Sequence, residues 1–197
     1  MRPLSDGRNR SRTVEASKAL DYVDRANAAN LFASAFILQK EAAMAMSMTG
    51  EVDLPAPRGV VWEKLNDPDV LKACIPGCQE LVKEGDTAFR ATAKLAIGPV
   101  KATFKGKVTL SDVDPPNGYT ITGEGEGGIA GFAKGGAKVR LSDAEGGGTK
   151  LAYDVQANVG GKIAQLGSRL IDGVAKKMSD NFFSSFAKSV SGKANAS

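Results

Sequence analysis

The sequence predicts an α+β domain in which a curved antiparallel sheet of six to seven strands wraps around one long C-terminal helix. Three observations predict it. Between Met48 and Val159, apolar and polar residues alternate in short runs separated by Gly- and Pro-containing turns, the pattern of a strand meander with one covered face. After Gly160-Gly161 the period changes: Ile163, Leu166, Leu170, Val174, Met178, Phe182 and Phe186 recur at three- and four-residue steps, as in an amphipathic helix of about 25–30 residues. A length of 197 residues with 42% hydrophobic and 24% charged residues fits one globular domain with an extension.

Residues 1–45 stand apart. An Arg- and Ser-rich stretch, Arg8 to Arg12, leads into an Ala/Asn-rich run. This part is expected to be an N-terminal extension, disordered or partly helical. It reads either as a targeting or docking segment or, more simply, as a gene-model overrun with translation starting at Met46. Its longest apolar run, Leu31 to Leu38, is far shorter than the roughly 20 residues that span a bilayer. Acidic residues precede that run and no clean cleavage site follows it, so a cytoplasmic protein is expected.

The domain proper is expected over residues 46–191, with a polar tail at 192–197. In the first strand Met48, Gly50, Val52 and Leu54 oppose Thr49, Glu51 and Asp53, until Pro55 and Pro57 end it. A short helix follows from Arg58 to Leu65 and carries Trp62, the only tryptophan. Asp67 suits an N-cap and Pro68 the first position of a second short helix, closed by Pro76-Gly77. Phe89 to Ile97 and Val100 to Leu110 then alternate on either side of Gly98-Pro99. Tyr119 and Ile121 continue the pattern, then Ala137 to Leu141, then Leu151 to Val159. A sheet apolar on one face must be covered, and the last helix is the cover: a helix-grip. Many inward positions are Ala or Gly, so a cavity is expected between sheet and helix.

Composition removes several functions. Histidine is absent, which excludes His-based nucleophilic triads and His-ligated metal sites. A net charge of +4 lacks the dense basic patch of a nucleic-acid binder. Cys74 and Cys78 have neither zinc spacing nor further ligands nearby, so structural cysteines are a better account than a metal or redox pair. Gly123, Gly125 and Gly128 satisfy G-x-G-x-x-G, but no helix follows, so bends or bulges explain them better than a phosphate cradle. Phe132 falls on the outward parity unless such a bulge resets it. Glu124 and Glu126, like Lys101, Lys105 and Lys107, fall on the outer face, where a solvated surface is the simpler account. Lys162, Arg169 and Lys176 fall seven apart and are expected to form a cationic stripe on the last helix, suited to transient membrane or partner contact.

Several of these residues carry a family resemblance. Leu54-Pro55-Ala56-Pro57, Val61-Trp62 through Leu65, Asp67-Pro68 and Cys74-Ile75-Pro76-Gly77-Cys78 resemble the opening of the G-subunit family of carbon monoxide dehydrogenase. Ile97-Gly98-Pro99-Val100, the glycine-rich section Gly123–Gly136 and the run Gly160-Gly161-Lys162-Ile163-Ala164-Gln165-Leu166-Gly167 extend the resemblance over about residues 46–190. It implies the START/Bet v 1-like (SRPBCC) helix-grip superfamily, whose members hold lipids, quinones or polyketides. It also implies an accessory role beside a molybdenum hydroxylase of the carbon monoxide dehydrogenase type, coupling or recruiting that enzyme to the membrane. In the family the loop of Cys74, Ile75, Pro76 and Cys78 sits near the cavity mouth.

The leading expectation is therefore a non-catalytic carrier or docking protein, peripheral at the inner face of the membrane. It would have no redox cofactor of its own and would bind a quinone or lipid against Trp62, Phe89, Phe104, Tyr119, Tyr153, Leu166 and Leu170. Two alternatives stand beside it: a helix-grip cyclase or hydrolase of hydrophobic substrates, and an assembly factor whose cavity is unused. An enzyme would need an inward polar cluster, for which the assignable positions offer only Tyr119 and Tyr153.

Overall fold

A computed structural model describes residues 43–192. Residues 1–42 and 193–197, which include most of the expected extension and of the tail, lie outside the described residues. Strand β1 (Met44–Leu54) is followed by two short helices, α1 (Arg58–Leu65) and α2 (Pro68–Cys74). A meander then runs through β2 (Cys78–Lys83), β3 (Ala88–Ile97), β4 (Val100–Asp114), β5 (Gly118–Glu126), β6 (Phe132–Asp143) and β7 (Thr149–Gly160), and helix α3 (Ser168–Val190) ends the domain. The strands form one antiparallel sheet in the order β1-β7-β6-β5-β4-β3-β2. The first two strands thus occupy opposite edges, and α1 and α2 make the crossing between them.

The alternation read from the sequence is the alternation of burial. In β1 every second residue from Met44 to Leu54 turns inward and the others face solvent. The same holds along β4 up to Leu110. Phe132 is on the outer face, and its ring lies over Gly160 of the neighbouring strand. β1 begins at Met44, paired with Val159, two residues before the expected boundary at Met46. Strand β2 has no clear sequence signature: Leu81 and Val82 are adjacent apolar residues rather than alternating ones, and its register on β3 shifts between Cys78 and Glu80. Such an irregularity is common in edge strands, where one side of the ladder is free.

The short helices start as their residue types require. The Asp67 carboxylate accepts the backbone N–H of Asp69 at 3.0 Å and of Val70 at 3.3 Å, with Pro68 behind it at the first helical position. α1 drives Val61 and Leu65 into the core.

Helix α3 departs from the expectation at its start. It has 23 residues and begins at Ser168, not at Ile163. Gly161 (φ 77°) and Gly167 (φ 85°) adopt backbone conformations that an α-helix cannot contain, and Ala164–Leu166 between them forms a single 3-10 turn. Ile163 keeps its apolar role, at 2% exposure, from this turn. Lys162 is therefore not on the helix, and the expected three-residue cationic stripe does not exist as one helical row. Of the remaining two residues, Lys176 is held by Asp180 one turn on, at 3.1 Å.

The interior contains two clusters. One joins Leu54, Val61, Leu65, Phe89, Tyr119, Leu141, Leu151, Phe186 and Val190. The other joins Ala130, Val159, Ile163 and Ile171, with Ile97 and Phe104 packed against it. α3 runs from the second cluster to the first, and the space between helix and sheet lies along that line. Among the described residues no helix is long and apolar enough to cross a membrane.

Candidate functional site

The cavity wall is built from cross-strand rows on the concave face. Phe89, Val108, Gly123, Gly135, Ala157 and Met46 stand in register across six strands. The next row is Leu110, Ile121, Ala137, Val155 and Met48, and the one beyond it is Tyr119, Val139, Tyr153 and Gly50. The first row has glycine or alanine at three of its six positions, so the helix cannot seat against the sheet there. Volume is left instead.

That volume forms two chambers. The first, about 320 Å³, lies between the Tyr119 row, the short helices and the C-terminal half of α3. Leu65, Leu71, Ile75 and Leu81 close one side of it, and Ser179, Phe182 and Phe183 roof it. The second, about 440 Å³, lies under the N-terminal half of α3, against Ile97, Phe104, Ile163, Ile171, Val174 and Met178. Val108, Ile121, Ala137 and Val155 border both.

Only three side chains lining the first chamber carry a polar group: Tyr119, Tyr153 and Ser179. The Tyr153 hydroxyl and Ser179 Oγ are 3.1 Å apart and share a hydrogen bond. The Tyr153 ring stacks on Phe183 at 5.2 Å, which fixes its direction. Tyr119 is 6% exposed, and its phenol pKa is pushed up to about 12 because burial penalises the phenolate. Near neutral pH it is therefore a hydrogen-bond donor, not a base. Chemically, the chamber can bury an apolar body and offer hydroxyls to a few polar atoms. No carboxylate, amine or thiol lines it, and among the described residues no three His, Cys, Asp or Glu residues are grouped to hold a metal.

The structure brings together Phe89, Tyr119 and Tyr153 in the first chamber, while Phe104 lines the second. Trp62 lines neither; it backs the wall, with its ring 5.5 Å from that of Tyr119. Leu166 and Leu170 are also absent from both walls. Leu166 sits in the 3-10 turn, and Leu170 is 37% exposed, close over Gly98 at the β3–β4 turn. The physical reason is phase: with the helix starting at Ser168, Ile171, Val174, Ala175, Met178, Ser179 and Phe182 turn toward the sheet. Ser179 and Phe183 escape a reading of the sequence because a stepwise apolar stripe passes over a serine and over the second of two adjacent phenylalanines.

In the cysteine loop only Ile75 reaches the chamber. Pro76 does not line it, and Cys74 is buried in the core beneath. Cys78 directs its thiol to the Glu80 carbonyl at 3.4 Å. Both thiols are free, and burial pushes both pKa values up, offset in part by Ser189 at Cys74 and by the Glu80 backbone and Lys72 at Cys78. Glu124 and Glu126 stand on the outer face, in register with Lys107 and Lys105. Gly123 and Gly125 lie within β5, and no helix follows them.

Comparison with known proteins adds the following. The family described as the carbon monoxide dehydrogenase G subunit (CoxG) matches residues 50–191. A conserved protein of Geobacillus kaustophilus, known by its crystal structure, is 33% identical over 74% of this chain and 95% of its own, with a TM-score of 0.70. Ara h 8.0201 is 20% identical over 75% of this chain and 98% of its own, TM-score 0.53. The Zhui aromatase/cyclase from Streptomyces sp. R1128 is 15% identical over 78% and 97%, TM-score 0.54. The last two share the fold alone. No curated protein matches the chain.

Proposed function

The chain belongs to the CoxG family of carbon monoxide dehydrogenase subunits, and from that premise we propose that it is a non-catalytic accessory protein that carries an apolar ligand for a molybdenum hydroxylase. In this reading it works at the inner face of the membrane and couples or recruits the enzyme there. The observation that supports it most is the first chamber, whose lining is apolar except for three hydroxyls. A quinone fits such a lining: its ring and isoprenoid tail are apolar, and its carbonyls accept hydrogen bonds from a neutral Tyr119 or from the Tyr153–Ser179 pair. A lipid with one hydroxyl or ester head would fit by the same chemistry. Phe89 and Phe104 would hold the apolar part, and the second chamber would take the tail.

The test is native mass spectrometry of the full chain purified from a membrane-containing lysate, followed by solvent extraction. A stoichiometric quinone or lipid is expected. Ala137 borders both chambers, so Ala137→Leu should purify with occupancy reduced about tenfold while folding normally. An empty wild-type protein that still co-purifies with a large molybdenum enzyme would leave docking or assembly as the function.

A further inference from the structure

At one end of the domain three connections converge: the β3–β4 turn at Gly98-Pro99, the β5–β6 loop over Gly127–Gly131 and the β7–α3 segment over Gly161–Gly167. They are tied together. The Ile163 N–H donates to the Ala130 carbonyl at 3.0 Å, Gly131 lies against Gly160 and Gly161, and Leu170 covers Gly98. Beneath them Ala130, Val159, Ile163 and Ile171 form the second core cluster.

This end is both apolar and basic. Ile129 stands at its tip, 86% exposed, flanked by Leu170 at 37% and Phe132 at 36%. These are three of the five exposed large hydrophobic residues among those described. Leaving a side chain like Ile129 in water forgoes roughly 1.5–3 kcal/mol of burial, and nothing in the fold explains its position. Lys101, Lys134, Lys162 and Arg169 surround it, all exposed, and the segments 95–103, 127–134 and 160–171 contain no carboxylate. The opposite end has the reverse sign: Glu84, Asp86, Asp112, Asp114, Asp143 and Glu145 are all exposed on its hairpin turns. Arg90 and Arg58 offset only Glu84 and Asp143 there.

We propose that the loop end bearing Ile129 is a docking surface for an anionic phospholipid bilayer, with Ile129, Phe132 and Leu170 entering the acyl boundary and the four cations meeting the headgroups. The charge distribution selects this occupant. A basic rim round an apolar tip matches an anionic interface, and the acidic far end is repelled from it, so the domain docks in one orientation. The second chamber lies directly behind this surface, with Ile97, Ala133, Val159, Ile163 and Ile171 in its wall. Cargo would therefore pass from bilayer to cavity without crossing water. The inference rests on the membrane-coupling part of the proposed function but not on the identity of the cargo.

The test is co-sedimentation of the full chain with vesicles of phosphatidylcholine containing one-third phosphatidylglycerol, and with vesicles of phosphatidylcholine alone. Binding is expected to the anionic vesicles and to weaken with salt. Ile129→Asp and the double variant Lys162→Glu/Arg169→Glu should each weaken it by about tenfold or more. Val113→Asp, which alters an exposed residue at the acidic end, should not. All these positions are solvent-exposed, and unchanged circular dichroism would show that folding is intact. Binding that both tip variants leave untouched, or no vesicle binding at all, overturns the proposal. So does a dimer that Ile129→Asp dissociates without any vesicle binding, which would assign the patch to a second copy. Cargo in the chamber without vesicle binding removes this surface and keeps the carrier; vesicle binding by an empty protein does the opposite.

Discussion

Tyr119 connects the shape of the first chamber to its protonation. Its phenol is pushed up to about 12 by burial, against about 10 in an unfolded chain. The folded state therefore holds this proton more tightly than the unfolded one. The stability this represents is complete below about pH 10 and is lost as pH rises through about 12. Thermal unfolding followed between pH 9 and 12 should show wild type losing about 2–3 kcal/mol over that range, and Tyr119→Phe losing clearly less. Equal slopes would mean that the ring reaches solvent. The cysteines behave alike on a smaller scale: both thiols are pushed up by burial. At pH 8 they should react slowly with iodoacetamide, the buried Cys74 more slowly than Cys78, as peptide mapping would show. Rapid labelling of both would reopen a redox role for the pair.

At the scale of elements, what is legible in the sequence follows from how local each cause is. β1, β4 and β7 show period two because each has one face on the cavity and one in water, and a single strand's residues record both faces. The N-cap at Asp67 is equally local. β2 lies at an edge, where pairing on one side only relaxes the alternation. The start of α3 is hidden because Ile163 and Leu166 continue the apolar rhythm through a segment whose backbone is not helical. The decisive signal is Gly167, a residue with φ of 85° directly before Ser168. The walls contributed by strands are thus readable, whereas the helix residues facing them depend on a phase that Gly167 resets. Replacing Gly167 by Ala forces a Cβ into that conformation and should cost about 1–3 kcal/mol, measured by urea unfolding. Gly161→Ala should cost more, because its Cβ would also press on the Gly131 backbone. If Gly167→Ala instead stabilised the protein, the helix would extend back toward Ile163 in solution.

The molecule as a whole combines two dense clusters with chambers of about 320 and 440 Å³ between them. Unfilled apolar volume costs stability, as cavities created in cores do, and an occupant that binds only the folded chain restores it by mass action. Stripping the purified protein with a hydrophobic resin should therefore lower its unfolding midpoint, and adding a long-chain quinone should raise it again. An unchanged midpoint would show that nothing had occupied the space. Trp62, Phe182 and Phe186 lie outside or at the border of this volume and hold the end near the short helices, so that end should remain ordered in the stripped protein.

The glycines of the sheet have one further consequence. Gly106 and Gly135 face inward, and a methyl at either would press on the neighbouring strand, at the Glu124 and Gln156 carbonyls respectively. The absent side chains therefore both bend the sheet and open the space, and a gene cannot change one property at these codons without changing the other. Variation in cargo size has to be written elsewhere. The helix face of Ile171, Val174, Ala175 and Met178 is the free parameter, since side chains there can lengthen or shorten while every strand keeps its register. Descendants of this protein with different cargoes should differ first along that face, with the sheet inherited almost as a fixed mould.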